Sequence, residues 1–221
     1  MDKNLKGIQL LQEGKVEEAV KFFTEAIEEN PTDPVAYINF GNVLLSVGEN
    51  EKAEKFLKRA ISLDGEAASA YYSLGNLYFN SENFDAAKEA FESAIKKGLE
   101  NEDVFFMLGI SLVNLEQPKL ALPYLMRSVE LNGEDAEARF QYGLCLAKTE
   151  AYKEAIEQLE IVVEQDPEHA DAYYNLGVAY AGFTDDAVKA RSCFERALEI
   201  QPDHMLAGYG LKMMDQLGEE N

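Results

Sequence analysis

The sequence predicts an all-α protein built from stacked pairs of antiparallel helices, about thirteen in all, and three observations predict it. Six glycines, Gly7, Gly41, Gly75, Gly109, Gly143 and Gly177, recur every 34 residues. Five alanines, Ala19, Ala53, Ala87, Ala121 and Ala155, keep the same 34-residue step, and Ala190 follows one residue late. Within each period, apolar residues fall at helical spacing in two blocks separated by a short turn. A fixed period of about 20–50 residues marks a repeat architecture, in which each unit covers its neighbour's apolar face.

The third repeat shows the unit most clearly. In its first half, Tyr71, Leu74 and Tyr78 define one helix face, with Gly75 beside Leu74. A mid-helix glycine costs about 1 kcal/mol relative to alanine. Its recurrence in register therefore implies a close approach that a side chain would block. The second half places Phe84, Ala87, Phe91, Ala94 and Ile95 on one face. Gly98 after Lys96 and Lys97 is a helix stop. The link Ser81-Glu82-Asn83 is so short that the two helices must be antiparallel neighbours.

The other repeats follow in order, and together they are expected to make one domain over 1–221. Repeat one, 1–33, carries Lys3, Lys6 and Gln9 where later repeats hold apolar or smaller residues, so a wet outer face is expected on its first helix. Its second helix holds Val16, Ala19, Phe23 and Ala26 before Pro31 breaks the chain. Repeat two, 34–67, has Tyr37, Phe40, Gly41 and Leu44, an inner turn at Gly48, then Ala53, Leu57 and Ala60. Repeat three is 68–101. Repeat four, 102–135, has Ser128 in place of an alanine, Pro118 in the first turn of its second helix, and Pro123 five residues further in. A kink or loosened first turn is expected at Pro123, with its ring facing solvent. Repeat five, 136–169, puts Arg139 where other later repeats have Tyr or Phe, and the expectation is a snorkelling arginine paired with an acid. Repeat six, 170–204, has one extra residue in Gly182–Asp186 and hence a longer inner turn. A closing helix over 205–217 carries Leu206, Tyr209, Met213 and Leu217 on one stripe, with Leu211 and Met214 adjoining.

These residues resemble the tetratricopeptide repeat. Its pattern is an aromatic, Leu-Gly, Tyr, then Ala, a large apolar residue, Ala and often Pro. Repeat three presents it as Tyr71, Leu74, Gly75, Tyr78, Ala87, Phe91 and Ala94. Repeat six presents it as Tyr173, Leu176, Gly177, Tyr180, Ala190, Phe194, Ala197 and Pro202. The resemblance implies a right-handed superhelical solenoid, with first helices lining a concave groove and second helices on the convex side. It also implies that function sits in groove-facing residues of the first helices.

In that geometry the slot after the Tyr71 position reads Ile38, Tyr72, Phe106, Phe140 and Tyr174. Nearby groove slots hold Asn39, Asn42, Asn76, Asn80, Asn114 and Asn175. Rings offer flat contact area at low entropic cost, and an asparagine can both donate to and accept from a peptide backbone. The combination suits a bound peptide segment. In the competing reading the rings pack between adjacent first helices and the asparagines are merely solvated. The family's clamp for a C-terminal carboxylate is not supported: its lysine slots hold Asn4, Ile38 or Tyr72, and only Asn39 and Asn42 match its asparagines. Asp103, Glu137 and Asp171 instead form an acidic row that implies a ligand with basic residues.

Composition narrows the classes further. Forty-one acids against twenty bases give a formal charge of −21, which disfavours phosphate backbones and anionic lipid surfaces. Cys145 and Cys193 have no CxxC partner and read as small buried apolar residues; His169 and His204 sit between repeats without a neighbouring ligand set. No nucleophile–base pair, metal spacing or phosphate-binding glycine loop is present, so neither catalysis nor a cofactor or metal is expected. Without an apolar run near the roughly 18 residues of a membrane span, and without a signal-peptide core, a cytoplasmic location is expected. The function expected is a non-catalytic adaptor or scaffold for a protein or peptide. The alternative is a structural protein that self-associates, even weakly, through its apolar last helix.

Overall fold

The computed structural model describes residues 2–184 and 186–219, the last three by their backbone alone. Among the described residues the structure is all-α, with thirteen α-helices and one π-helical turn, and no helix is long and apolar enough to cross a membrane. The chain divides into two compact units, Met1–Leu115 and Glu116–Asn221.

The first unit contains α1 (Lys3–Gln12), α2 (Val16–Glu29), α3 (Pro34–Ser46), α4 (Asn50–Leu63), α5 (Ala68–Asn80), α6 (Phe84–Lys96) and α7 (Glu102–Asn114). Three of its first helices, α1, α3 and α7, begin where short polar side chains satisfy orphan amides, while α5 starts at Ala67 without a side-chain cap. Asp2 accepts from the amides of Asn4 and Leu5, Asp33 from Val35, and Asn101 from Val104. Pro34 occupies the first turn of α3, where its missing N–H costs nothing. The second helices bury a narrow stripe: Ala19, Phe23 and Ala26 on α2, Ala53, Leu57 and Ala60 on α4, Ala87, Ala90, Phe91 and Ala94 on α6.

The glycine ladder has the steric cause its recurrence implied. A Cβ on Gly75 would lie 2.6 Å from Cδ1 of Phe91 and nearer still to Cε1, and Phe91 is fully buried. Gly7 meets Phe23 and Gly41 meets Leu57 in the same way. Each glycine therefore lets a large residue of the second helix lie directly on the first helix's backbone.

A further ladder sits in the inner turns. Gly14, Gly48, Glu82, Glu116 and Glu150 all have positive φ, between 56° and 78°, and are spaced by 34 residues. In the first repeat the Gly14 amide bonds the carbonyl of Leu11 and the Lys15 amide that of Leu10, and Glu82 and Asn83 repeat this pairing onto Phe79 and Tyr78. This is the left-handed helix ending that reverses the chain between paired helices.

At the outer face of α1, Lys3 folds back onto α2 and pairs with Glu25 at 2.7 Å and Glu29 at 2.8 Å. Leu5 and Ile8 remain exposed. The face is thus mixed where a wet one was expected, because the lysine finds acids on its own repeat.

The second unit contains α8 (Pro118–Leu131), α9 (Ala136–Lys148), α10 (Tyr152–Gln165), α11 (Ala170–Ala179), a π-helical turn (Tyr180–Thr184), α12 (Ala187–Ile200) and α13 (Met205–Glu219). Three features here bear on the expectations. First, α8 runs through Pro123 without a loosened turn, and the Pro123 ring is exposed as expected. The residue whose carbonyl loses its donor, Lys119, is itself exposed, so water can serve that carbonyl and the helix need not open. Second, among the described residues Arg139 has no acid partner. Its guanidinium donates to the carbonyl of Gly133 and to Oε1 of Gln158, both at 2.8 Å, so it ties α9 to the preceding loop and to α10 through neutral acceptors. Third, the longer inner turn expected for repeat six is present: seven residues, 180–186, separate α11 from α12 where three, 81–83, separate α5 from α6, and the segment opens with the π-helical turn.

The last helix has two faces. Ala207 is buried and Leu211 and Met214 pack on the core of this unit, where Phe194 lies between Gly177 and Gly210. Leu206, Tyr209 and Met213 are exposed, as is Met205. The Leu217 side chain lies outside the described residues.

Candidate functional site

In the first unit, the expected groove residues lie on α3, α5 and α7. Ile38 is only 7% exposed and belongs to the core. Tyr72 and Phe106 are half-buried. The Tyr72 ring leans on Phe91, with centroids 5.8 Å apart, and burial raises its hydroxyl pKa against the opposing effect of a hydrogen bond with Asn76. Asn42 and Asn80 are exposed, while Asn39 and Asn76 are half-buried. Among the described residues, Nδ2 of Asn39 is buried without a hydrogen-bond partner. A buried donor left unpaired costs about 1–3 kcal/mol, and so demands an account. Asn114 is exposed, but its amide is turned back on the carbonyl of Ile110 at 2.9 Å. Asp103 is exposed.

In the second unit the expected residues lie on α9 and α11. Phe140 is 6% exposed and packs against the His169 ring, centroids 4.4 Å apart. Tyr174 is half-buried, its ring 5.2 Å from that of His204 and 6.1 Å from that of Phe194. Asn175 donates to the carbonyl of Asp171 at 2.7 Å. Two carboxylates of the expected acidic row have side-chain neighbours: Glu137 accepts from Gln141 at 2.8 Å and lies 4.0 Å from Nε2 of His169, and Asp171 lies 3.1 Å from Nε2 of His204. The two histidines cap helices, His169 accepting from the amide of Ala172 and buried His204 from that of Ala207.

The ring positions therefore differ in what they offer. Ile38 and Phe140 serve packing, while Tyr72, Phe106 and Tyr174 keep part of their surface exposed. Cys145 is buried and Cys193 half-buried, and burial pushes both thiols up to about 11.

The sequence reading also missed a cleft beside the π-helical turn, where Tyr152 and Phe183 stack and the Tyr180 hydroxyl donates to Glu160 at 2.5 Å. Its signal was the one-residue slip between Gly177 and Ala190.

Models described as the tetratricopeptide repeat match residues 10–67, 68–96, 106–159 and 170–204, and a TPR repeat model matches 143–182. The crystal structure of YrrB, titled a TPR protein with an unusual peptide-binding site, is 54% identical, with a TM-score of 0.83 over 86% of this chain and 97% of that one. The chain belongs to the tetratricopeptide repeat family. This TPR chain is also similar to a MamA structure from Desulfovibrio magneticus RS-1, at 25% identity and TM-score 0.71, covering 78% of this chain and 97% of that one. Pseudomonas aeruginosa pilF shares the fold at 20% identity and TM-score 0.78, each chain covered to 94%. No curated protein sequence matches the chain.

Proposed function

We propose that this TPR protein is a non-catalytic adaptor that holds a peptide segment of a partner protein against the first helices of its repeats. The six-repeat division and closing helix read from the sequence form part of the proposal. The observation that carries it lies within the first unit: half-buried Tyr72 and Phe106 stand on successive first helices, with exposed Asn42 and Asn80 on α3 and α5. The two rings would grip side chains of an extended segment, and exposed Asn42 and Asn80 would bond its backbone. YrrB, whose title names a peptide-binding site, supports the same reading. Exposed Asp103 favours a basic residue in the ligand.

The test is capture from lysate with two baits, the native chain and a Tyr72→Ala/Phe106→Ala variant whose helical signal is intact. Both rings keep exposed surface, so the change spares more of the core than one at Phe140. Loss of a prominent partner from the variant supports the groove, and an identical partner set refutes it. Capture that weakens from low to physiological salt supports the basic-ligand part, and salt-indifferent capture refutes that part alone.

A second reading has its own observation. Met205, Leu206, Tyr209 and Met213 leave an apolar face of α13 exposed, which favours self-association. Mass measured across concentration tests it: a monomer throughout removes this reading.

A further inference from the structure

We propose that the cleft beside the π-helical turn is a second binding site, separate from the groove, which takes the guanidinium of an arginine on a partner peptide. The cleft lies wholly within the second unit, between α10, the π-helical turn and the start of α12, and has a volume of about 640 Å³. That is within the range of about 300–1,000 Å³ typical of ligand sites. It is open on one side, which suits a side chain presented on a chain better than an enclosed small molecule.

Three features of its walls define the ligand. The first is an aromatic platform. Phe183, on the segment that holds the extra residue, is 47% exposed and stacks flat on Tyr152 of α10. A large exposed ring held in a stack presents a π-face ready for a cation. The second is charge. The lining contains the four carboxylates Glu150, Glu154, Glu157 and Glu160 against two lysines, Lys153 and Lys189. Glu160 is engaged by the Tyr180 hydroxyl and Lys189 approaches Asp186 at 4.0 Å, while Glu154 and Glu157 make no ion pair among the described residues. The third is an internal precedent. Lys189 Nζ sits 4.9 Å from the centroid of the Tyr180 ring, so the cleft already holds one cation on an aromatic face.

The ligand is an organic cation rather than a metal ion, since among the described residues no group of three or more acidic, His or Cys side chains is placed to hold a metal. Between the two basic side chains, the planar guanidinium fits better. It stacks on a ring and forks to a carboxylate at once, whereas an ammonium is a compact, strongly hydrated point charge. The adjoining acids of α10, Glu154 and Glu157, supply the carboxylate and the Tyr152–Phe183 pair supplies the ring.

The experiment titrates the isotope-labelled full chain with acetyl-Gly-Arg-Gly-amide and follows backbone amide shifts. Citrulline, norleucine and lysine versions of the peptide serve as comparisons. The expected result is saturable shifts at Tyr152, Phe183, Thr184 and Lys189 with the arginine peptide, and weaker ones with all three comparisons. Phe183→Ala weakens the arginine peptide about threefold, the size of an exposed cation–π contact, and Glu157→Gln weakens it further. Both residues line an open cleft, and retained spectral dispersion reports an intact fold. Equal binding of the citrulline peptide, shifts spread over the whole acidic surface, or indifference to both variants would overturn the proposal. Equal binding of the lysine peptide would overturn the arginine assignment. Tyr72→Ala, which disables the proposed groove, is expected to leave these shifts unchanged, so the two sites stand or fall separately.

Discussion

Replacing two glycines of the same ladder by alanine is expected to have opposite effects. At Gly75 a new Cβ would lie 2.6 Å from Cδ1 of Phe91, about 0.8 Å short of the 3.4 Å at which ordinary contact begins. Phe91 is fully buried, so its ring cannot withdraw by that distance without displacing its neighbours. Overpacking of this kind costs about 1–3 kcal/mol, against a gain of about 1 kcal/mol from replacing a mid-helix glycine. An overlap of about 0.8 Å with a fully buried ring places the cost in the upper half of that range, so the balance for Gly75→Ala is a loss of roughly 1–2 kcal/mol. At Gly143 the neighbour is Leu159, 3.2 Å away and thus about 0.2 Å short, and a leucine branch can rotate by that much. There the propensity gain prevails, and Gly143→Ala is neutral or stabilises by up to about 1 kcal/mol. For a chain of this length, 1 kcal/mol moves Tm by about 2–4 °C. Thermal melts followed by helical signal should show Gly75→Ala melting several degrees lower and Gly143→Ala no lower than the native chain. Adding Phe91→Leu to Gly75→Ala should recover part of the loss. An unchanged or raised Tm for Gly75→Ala would refute the steric account of the ladder.

Further outcomes follow from the turns, the thiols and a cap. Glu82 holds φ at 56°, a strained region for a side-chain-bearing residue, so Glu82→Gly should stabilise by about 0.5–1 kcal/mol and Gly48→Ala, at φ 78°, should destabilise by about 1 kcal/mol; urea midpoints read both. Burial holds the Cys145 and Cys193 thiols near 11, above the ordinary value of 9. Their folded pKa exceeds the unfolded one, so the stability they contribute is complete below about pH 9 and is lost as pH rises through about 11. At pH 8 a thiol reagent should react about a hundredfold more slowly with the folded chain than with the unfolded one, in proportion to thiolate. His204→Ala removes the side-chain acceptor at the start of α13 and should cost about 1 kcal/mol, visible as faster proteolytic nicking at 204–206.

The fold was legible because its period is written in small residues, chosen where helices lie close together. Gly75 must be glycine where Phe91 lies on the backbone, and Ala87 must be small where two helices touch. The turn ladder was half hidden, since Glu82, Glu116 and Glu150 adopt a conformation that only Gly14 and Gly48 advertise by residue type. Arg139 as a charge invites an acid partner, but its guanidinium bonds two neutral acceptors, the carbonyl of Gly133 and Oε1 of Gln158, and among the described residues its Nε is buried without a partner. The ring positions could not be sorted from sequence. Phe140 and Tyr174 occupy the same repeat slot and each lies against the histidine that caps the following repeat boundary, His169 or His204, yet Phe140 is buried and Tyr174 half-buried, so the slot alone does not fix exposure. Glu137 and Asp171 belong to the acidic row that the sequence shows, but their partners are side chains, Gln141 and the capping His169 and His204, whose rotamers the repeat pattern does not display.

The glycine contacts also bear on how the chain reaches its fold. Gly75 and Phe91 are sixteen residues apart, as are Gly7 and Phe23, and Gly41 and Leu57. The contact that defines each hairpin therefore closes a short loop, at little entropic cost. Such sequence-local contacts put the chain among proteins of low contact order, which fold in microseconds to milliseconds. Any hairpin can close before its neighbours exist. Those closed by a phenylalanine bury more surface at that step, so the third hairpin is a better place to nucleate than the second, and a chain emerging from synthesis can consolidate one repeat at a time.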